Sequence, residues 1–299
     1  MLVDETRRKR ILVPNPVPPR LYGLPKIHKP GSSMRPVISF ISSPTDNLAK
    51  YLDSWLKTVT GFHSKYSVRD SCDLSEKIVN FAPPPFDVTA MFPNIPLSPT
   101  LEWFESILTS NHIQPEIVKE FMNLLTHCVS SNFCKFENKF YIFSDGVPMG
   151  SPLSSLIPEV FMDSLESKIF ASNDISVRWV SYWHRYVDDI LCLWSGDHLQ
   201  LDEFLLSINA LYPSIKFTVQ VGGNNINFLD LHISIESGRH EFSIYRKPTS
   251  TDITIHGTSF CPLSHKHAAY HSLIHRLLSI PLSAKAFQEE VNVIKHLAQ

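Results

Sequence analysis

Two adjacent aspartates, Asp188 and Asp189, interrupt the apolar segment that runs from Trp179 to Trp194. Valine, isoleucine, leucine and aromatic residues on both sides of the pair are typical of a buried strand. An ionised carboxylate is costly in such surroundings unless it is paired or bound to a metal. The pair therefore predicts a tight turn between two strands, with carboxylate oxygens presented to a hard cation such as Mg²⁺. The alternative is an ordinary aspartate-rich hairpin turn.

A third acidic residue, Asp87, lies in a second apolar segment far upstream, from Phe86 to Phe92. The preceding Pro83-Pro84-Pro85 predicts a loop that leads into a short strand with Asp87 at its start. Carboxylates from separate strands can hold two cations, which clamp the attacking and leaving oxygens in phosphoryl transfer. Taken alone, however, Asp87 fits better as the N-cap of a following helix.

The stretch between these segments, residues 144–155, is rich in glycine, proline and serine. Gly146 and Gly150 allow the backbone to approach a ligand closely, and Ser151 or Ser154 can start a following helix. A loop that enters a helix in this way suits contact with a base and a sugar. On residue types alone, a simple turn followed by a helix cap is the better explanation.

The order of the three segments resembles the palm motifs of reverse transcriptases, in which a strand aspartate, a glycine–proline loop and Tyr-x-Asp-Asp follow one another. More narrowly, the chain is similar to the reverse transcriptases of Penelope-like retroelements, a branch related to the catalytic subunits of telomerase. Five strings carry this narrower resemblance: Leu21–Pro30, Met34–Ser39, Gly146–Ser154, Asn227–Leu231 and Tyr245–Thr249. They occur in the family's order, and the resemblance extends over most of the chain.

The resemblance implies a mixed α+β, right-hand polymerase with a split β-α-β palm, mostly helical fingers and a partial helical thumb. It assigns catalysis to Asp87, Asp188 and Asp189, and it includes Val88 with them in a site for two Mg²⁺ ions, for which Mn²⁺ could substitute. The expected activity is that of an RNA-directed DNA polymerase, a nucleotidyltransferase from a retrotransposon. The expected partners are an RNA template, a DNA primer and deoxynucleoside triphosphates, with the oligomeric state left open.

The same resemblance implies two further groups of binding residues. Those for the incoming deoxynucleotide are Lys26, Lys29, Arg35, Phe92, Met149 and Gly150, and those that position the primer are Phe228, Leu229 and Asp230. Arginine offers a planar fork to phosphate oxygens and lysine a compact charge. Phe92 would exclude ribonucleotides by filling the space that a 2′-hydroxyl needs. The alternatives are an ordinary core phenylalanine, a solvated basic loop and a simple turn capped by Asp230.

The chain is expected to divide into a flexible basic and proline-rich leader (1–18), fingers (19–85), palm (86–245) and a connection with a partial thumb (246–299). Fingers helices would interrupt the palm at about 100–140, and no endonuclease domain is expected. Apolar periodicity predicts helices over 44–60, 101–108, 115–129 and 199–211. It also predicts a hairpin over 133–143 and strands over 215–221, 226–236 and 240–246.

Cysteine content and hydropathy indicate an intracellular setting, in the nucleus or the cytoplasm. The five cysteines form no Cys-x-x-Cys pair, which argues against a disulfide framework or a cysteine zinc site and fits a reducing compartment. The sequence also lacks an uninterrupted apolar run long enough to span a bilayer, so no membrane contact is expected.

The formal net charge of −2 is unusual for a nucleic-acid polymerase, which is expected to be basic. The basic residues are concentrated at the two ends of the chain. Residues 1–50 hold nine Lys or Arg against three acidic residues, and residues 238–299 hold seven against four. This distribution fits a polarised channel for nucleic acid.

The alternative to an active RNA-directed DNA polymerase is a catalytically silent or host-adopted nucleic-acid-binding remnant of such an element.

Overall fold

The computed structural model describes residues 2–25, 34–78, 85–89, 94–143, 146–172, 175–222, 225–236, 239–250 and 253–298. The α-helices with described bounds are α1 (Glu5–Ile11), α2 (Asp46–Thr60), α3 (Ser71–Ile78), α4 (Leu97–Ser110), α5 (Pro115–Ser130), α6 (Leu156–Ala171), α7 (His198–Leu211), α8 (Leu263–Ser279) and α9 (Ala284–Leu297). No helix within the described residues is long and apolar enough to cross a membrane.

Strands account for most of the remaining regular structure, so the predicted mixture of helices and sheets is confirmed. They are β1 (Arg20–Pro25), β2 (Met34–Ser39), β3 (Pro85–Thr89), β4 (Phe133–Phe136), β5 (Lys139–Ile142), β6 (Val180–Tyr186), β7 (Asp189–Trp194), β8 (Lys216–Val219), β9 (Asn225–Phe228), β10 (Leu231–Glu236) and β11 (Arg239–Ile244). They form three sheets, with the orders β2-β1-β4-β5, β11-β10-β9 and β6-β7-β3-β8.

The chain divides into two compact units, each assembled from three separate stretches of sequence. The first unit comprises Met1–Tyr66, Val88–Val177 and Leu206–Phe217, and the second comprises Ser67–Asp87, Arg178–Leu205 and Thr218–Gln299. These units are interleaved along the chain, whereas the predicted leader, fingers, palm and thumb were drawn as consecutive segments. The boundaries of those four parts therefore stay predictions.

Amphipathic helices form much of the interior of the first unit. Leu52 and Leu56 lie one turn apart on α2 and are fully buried. Trp55 of the same helix packs against Phe121 of α5, with ring centroids 5.3 Å apart, and Phe121 in turn contacts Phe104 of α4 at 6.3 Å. The predicted helices are confirmed as α2, α4, α5 and α7, because apolar residues at helical spacing need a common buried face.

The first-unit sheet has the order β2-β1-β4-β5, so that β2 and β5 are its edges. Strands β1 and β2 pair antiparallel, β1 runs parallel to β4, and β4 and β5 form the predicted hairpin. At the hairpin turn, Glu137 and Asn138 have φ values of 47° and 64°. One face of the sheet is buried, where Leu21 packs against Ile38 and Cys134.

The beginning of the chain differs from the predicted flexible leader. Residues 5–11 form α1, and the Asp4 carboxylate caps it by accepting a hydrogen bond from the Arg7 backbone N–H at 2.7 Å. Leu2 is only 2% exposed, and its N–H donates to the Glu120 carboxylate of α5 at 2.6 Å. Sequence spacing does not indicate this order, because the partner of the segment lies more than a hundred residues away in the sequence.

The second unit buries one face of the β11-β10-β9 sheet beneath α3. Leu74 and Ile78 of that helix pack with Phe228, Leu231 and other apolar residues in a continuous core. The prediction of one strand over residues 226–236 was wrong, since β9 ends at Phe228 and β10 begins at Leu231. The intervening turn uses Leu229 with φ +56°, a conformation that leucine rarely adopts and that its residue type does not indicate.

Candidate active site

Asp188 and Asp189 lie at the tight turn between β6 and β7, in the second unit. Tyr186 pairs directly with Asp189, so only Val187 and Asp188 stand between the last paired positions. Val187 has φ +56°, which is unusual for a β-branched residue. Asp188 is half-buried and Asp189 is exposed. The predicted strand–turn–strand is therefore confirmed, and its tip carries both aspartates.

Strand β3 brings the third acidic residue to this turn. Asp87 pairs directly with Asp189 across the antiparallel β3–β7 ladder, and Phe86 pairs with Ile190 in the same register. Directly opposed residues in such a ladder have Cα atoms about 4.5–5.5 Å apart. Asp87 is thus a strand residue rather than a helix N-cap. The side chains of Asp87 and Val88 lie outside those that the structure describes.

A buried arginine next to the turn was missed by the sequence analysis. Arg185, the residue before Tyr186, is 0% exposed, and its Nη1 donates to the Val187 carbonyl oxygen at 3.3 Å. The Arg185 carbonyl oxygen also accepts a hydrogen bond from the Val68 N–H at 2.8 Å. Because Arg185 is held through both backbone and side chain, it supports the unusual conformation of Val187. The available signal was a charged residue inside an apolar run.

A cavity of about 800 Å³ opens beside the turn, within the second unit. Asp189 and Tyr186 line it from the β6–β7 hairpin. The residues predicted to position the primer, Phe228, Leu229 and Asp230, also line it. Two residues that follow β11, Tyr245 and Lys247, line it as well. The structure therefore brings Asp189 and the β9–β10 turn to one cavity, although they are separated along the chain.

Asp230 connects the β9–β10 turn to two helices. Its carboxylate accepts a hydrogen bond from the Ser71 hydroxyl of α3. It also forms an ion pair with Arg276 of α8, in which Nη1 lies 3.0 Å from Oδ2. Phe228, by contrast, is buried in the core of the second unit. Asp230 therefore does more than cap a turn, because it fixes the turn relative to α3 and α8.

Three of the residues predicted to bind the nucleotide lie on or against strand β2 of the first unit. The Met149 carbonyl oxygen accepts a hydrogen bond from the Ile38 N–H at 2.7 Å. This N–H group is available because β2 is an edge strand. Gly150 has φ +103°, and a Cβ at this position would collide with the Ile38 carbonyl oxygen. Arg35 lies on the same strand and is exposed. Lys26, Lys29 and Phe92 lie outside the described residues.

The donor atoms at the turn are suited to a hard divalent cation. Carboxylate oxygens are the ligands that Mg²⁺ prefers, and three acidic residues converge here by backbone pairing. Among the described side chains, no group of three or more His, Cys, Asp or Glu residues forms a metal site, and this set leaves out the side chain of Asp87. The chemistry of the residues therefore fits Mg²⁺.

His184, on β6, gives the second unit a pH-dependent stability. Neither ring nitrogen has a hydrogen-bond partner among the described residues. Burial lowers the pKa of the imidazole below its ordinary value, Lys77 lowers it further, and Asp73 opposes these effects. The unfolded chain then binds a proton at this histidine more readily than the folded chain does. The contribution of the neutral histidine to the free energy of unfolding is therefore complete above the unfolded pKa of about 6.5, and it is lost as the pH falls through the folded pKa.

We expect the free energy of unfolding of the protein to fall between pH 7.5 and pH 5.0, and to fall less in a His184→Phe variant. Urea denaturation at the two pH values measures the difference. The same substitution at the exposed His63 is the control, and His184→Phe should reduce the pH dependence more than this control does. An identical pH dependence in wild type and His184→Phe would contradict the prediction.

Residues 27–221 match the family model for reverse transcriptase (RNA-dependent DNA polymerase). No curated protein matches the chain. Solved structures are similar at low sequence identity. Telomerase from Candida albicans, in complex with a TWJ fragment of telomeric RNA, has 16% identity and a TM-score of 0.61, with 99% of this chain and 54% of that chain covered.

Two other solved structures give the same result. Telomerase from Candida tropicalis, with the same kind of RNA fragment, has 14% identity and a TM-score of 0.55 over 93% of this chain and 52% of that one. The Sicinivirus 3Dpol RNA-dependent RNA polymerase has 14% identity and a TM-score of 0.53 over 89% and 59%. The chain thus spans little more than half the length of these proteins.

Likeness at these identities concerns the fold, and it confirms the predicted right-hand polymerase architecture of mixed α and β structure. The family match is independent of that likeness, and it includes the Gly146–Ser154 string and the Asp188–Asp189 turn. Because the family model covers well over half of the 299 residues, the chain belongs to the reverse transcriptase family.

Proposed function

We propose that this chain is the RNA-directed DNA polymerase domain of a retrotransposon, from the Penelope-like branch. The observation that carries the proposal is the strand register that pairs Asp87 with Asp189 beside the Asp188 turn. Acidic residues from separate strands at one point are what a nucleotidyltransferase needs. The strings Leu21–Pro30 and Tyr245–Thr249 support the narrower assignment to Penelope-like elements.

In this proposal the primer 3′-hydroxyl attacks the α-phosphate of a deoxynucleoside triphosphate, a new P–O bond forms, and pyrophosphate leaves. Asp87, Asp188 and Asp189, with Val88, would hold two Mg²⁺ ions, for which Mn²⁺ could substitute. When bound, the ions would neutralise charge on the attacking and leaving oxygens. The contribution of Arg185 is to keep the backbone of the turn in place through the Val187 carbonyl.

The cavity beside Asp189 is the proposed site of the primer end. Its other wall contains the β9–β10 turn, and Asp230 ties that turn to α3 and α8. Lys247 is exposed at the same cavity and supplies a positive charge for a primer phosphate. The RNA template would pair with this primer.

The residues near strand β2 are proposed to bind the incoming triphosphate. Arg35 supplies a fork of donors for phosphate oxygens. The backbone at Met149 is hydrogen-bonded to β2, and at Gly150 it lies so close to β2 that no side chain fits there. Lys26 and Lys29 are proposed to add positive charge, and Phe92 is proposed to reject ribonucleotides.

The proposed parts of the chain remain a leader (1–18), fingers (19–85), palm (86–245) and partial thumb (246–299). The five free cysteines support a reducing compartment, the nucleus or the cytoplasm.

Primer extension by the purified chain on an RNA template, with Mg²⁺ and deoxynucleotides, tests this proposal. We expect extension that disappears in an Asp188→Asn variant. Template–primer binding without extension by the wild-type chain would favour the catalytically silent or host-adopted nucleic-acid-binding remnant instead. Extension that is equal in wild type and variant would overturn the assignment of the site.

The ion pair at Asp230 leads to a separate prediction. We expect Asp230→Asn to raise the KM for template–primer about tenfold, the equivalent of about 1.4 kcal/mol, with a smaller change in kcat, because the turn loses the Arg276 contact that positions it. Steady-state extension kinetics with varied template–primer measure the effect.

Glu290→Gln is the matched control for Asp230→Asn. It breaks a second, more buried ion pair of the same unit, in which Arg246 Nη2 lies 2.6 Å from Glu290 Oε1. Loss of one partner of a buried pair costs about 3–5 kcal/mol of stability, so Glu290→Gln should destabilise the fold more than Asp230→Asn. If the control raises the KM for template–primer as much as Asp230→Asn, the positioning role of Asp230 is wrong.

A further inference from the structure

Helix α8 carries a histidine pair that the proposed active site does not use. His267 and His271 are both exposed and stand four residues apart in the middle of the helix. Side chains at this spacing are neighbours on one face of a helix. Their ring centroids are 6.4 Å apart, with an angle of 37° between the ring planes. The two imidazoles therefore lie side by side at the surface.

A different side of α8 anchors the helix to its surroundings. Leu273 and Leu277 are buried. The Tyr270 hydroxyl donates a hydrogen bond to the Leu297 carbonyl oxygen of α9 at 2.6 Å. The backbone that carries the two histidines is thus held by contacts that do not involve their imidazoles, so the rings can turn without loss of these contacts.

The nitrogen atoms of this pair are available to a ligand. Within the part of the chain that the structure describes, the rings of His267 and His271 form no hydrogen bond and no ion pair. His275, one turn further along, differs because its Nε2 lies 3.5 Å from the Ser279 hydroxyl oxygen. His265 is only two residues from His267 and therefore lies on another side of the helix. These contrasts single out His267 and His271.

The type of donor atom indicates which ions the pair would bind. Neutral imidazole suits Zn²⁺, Cu²⁺ and Ni²⁺, whereas Mg²⁺ and Ca²⁺ prefer oxygen ligands. Helix α8 contains no Asp or Glu, so it offers no carboxylate to a hard cation. Lys266 follows a different direction from its neighbour His267, since its ammonium group donates a hydrogen bond to the Gly257 carbonyl oxygen. Its charge is therefore directed away from the pair.

We propose that His267 and His271 bind a divalent transition-metal ion such as Zn²⁺. Two histidines at positions i and i+4 on one helix face are a known zinc-binding arrangement. Zinc–nitrogen bonds are about 2.0–2.1 Å long, so the two exposed rings turn toward each other when the ion binds. No third His, Cys, Asp or Glu residue joins the pair among the described side chains, and water fills the remaining positions of the ion.

The pair is assigned binding and no catalysis. Ala268 follows His267, where zinc proteases with this histidine spacing have the glutamate that acts as general base. The bound ion would instead join two successive turns of α8. Arg276 of the same helix forms the ion pair with Asp230. The site thus lies on the helix that supports the β9–β10 turn, but it uses none of the residues assigned to the polymerase reaction.

Isothermal titration calorimetry with Zn²⁺ tests the proposal on the full chain, with excess Mg²⁺ present to occupy the acidic turn. We expect His267→Gln and His271→Gln each to weaken Zn²⁺ binding by at least about tenfold, because the second imidazole binds the same ion intramolecularly. Ni²⁺ should compete with Zn²⁺, and Ca²⁺ should not. Glutamine is a good helix former, and thermal unfolding without metal checks that the variants remain folded.

The same helix provides matched controls. His265→Gln and His275→Gln make the same chemical change on α8 and should leave the Zn²⁺ affinity unchanged, because neither residue belongs to the pair. The five cysteines and the acidic residues are the same in all four variants. A difference between the pair variants and the control variants therefore isolates the pair from any Zn²⁺ bound by thiols or carboxylates.

Three results would overturn the proposal: no binding of Zn²⁺, equal Zn²⁺ affinity in the wild-type chain and both pair variants, or losses in the control variants as large as those in the pair variants. Zn²⁺ binding that depends only on His267 and His271, in a chain that shows no primer extension, would support the metal site and overturn the proposed polymerase activity. The two proposals can therefore fail separately.

Discussion

Replacement of Asp189 by asparagine should lower the rate of nucleotide addition by at least about 10³-fold, because a site built to stabilise transition-state charge loses one of its carboxylates. The same change should alter the free energy of unfolding by less than about 1 kcal/mol, since Asp189 is exposed and asparagine has nearly the same shape. Asp189 also lies directly opposite Asp87 in the β3–β7 ladder, and the repulsion between the two like charges disfavours this pairing. Primer extension and urea denaturation of the same preparation measure both quantities.

Asp70→Asn is the matched control for this prediction. Asp70 lines the same cavity, and its Oδ1 accepts a hydrogen bond from the Asp73 N–H at 2.9 Å, a contact that asparagine can keep. We expect Asp70→Asn to retain most of the activity. Comparable losses in the two variants would show that the charge of the cavity matters rather than Asp189 itself. Full activity of Asp189→Asn would remove this residue from the proposed site.

Substitution of Gly150 by alanine should destabilise the protein by about 2–4 kcal/mol, of which about 1–3 kcal/mol is backbone strain and the rest the lost hydrogen bond. Gly150 has φ +103°, and an added Cβ would collide with the Ile38 carbonyl oxygen. To relieve that collision the loop must move away from β2, which breaks the 2.7 Å hydrogen bond from Ile38 to Met149. The proposed nucleotide contact should be lost at the same time, so extension should fall sharply.

Gly61→Ala separates the effect of the collision from that of the backbone conformation. Gly61 ends α2 with φ +63°, but no atom lies within 4 Å of an added Cβ. Its replacement should cost only about 1 kcal/mol, which is typical of a left-handed helix C-cap. Urea denaturation compares the two variants. If both cost the same, the close approach of the loop to β2 is not what requires glycine at residue 150.

Features that depend on neighbouring residues were predictable from the sequence. Pro115 and the apolar spacing that follows it predicted the helix now seen as α5, since proline is favourable in a first helical turn and the apolar residues need a common face. The turn between β6 and β7 was predicted because two aspartates cannot continue a buried strand. The β4–β5 hairpin was predicted around Glu137 and Asn138.

Features that depend on distant partners were missed. Helix α1 is ordered by contact of Leu2 with Glu120, and the turn after β9 is fixed by Ser71 and Arg276, which bind Asp230. None of these pairs has a signal in sequence spacing. Arg185 was missed for a different reason: charged residues are expected at the surface, even where one interrupts an apolar run.

Residue types and local spacing were enough to predict the kinds of elements, the order of the motifs and the family to which the chain is similar. The pairing of Asp87 with Asp189, and the cavity that this turn shares with Asp230, become visible only in the folded chain. Strand register is set by hydrogen bonds and packing between segments that are far apart in the chain, and a shift of one residue would reverse every face.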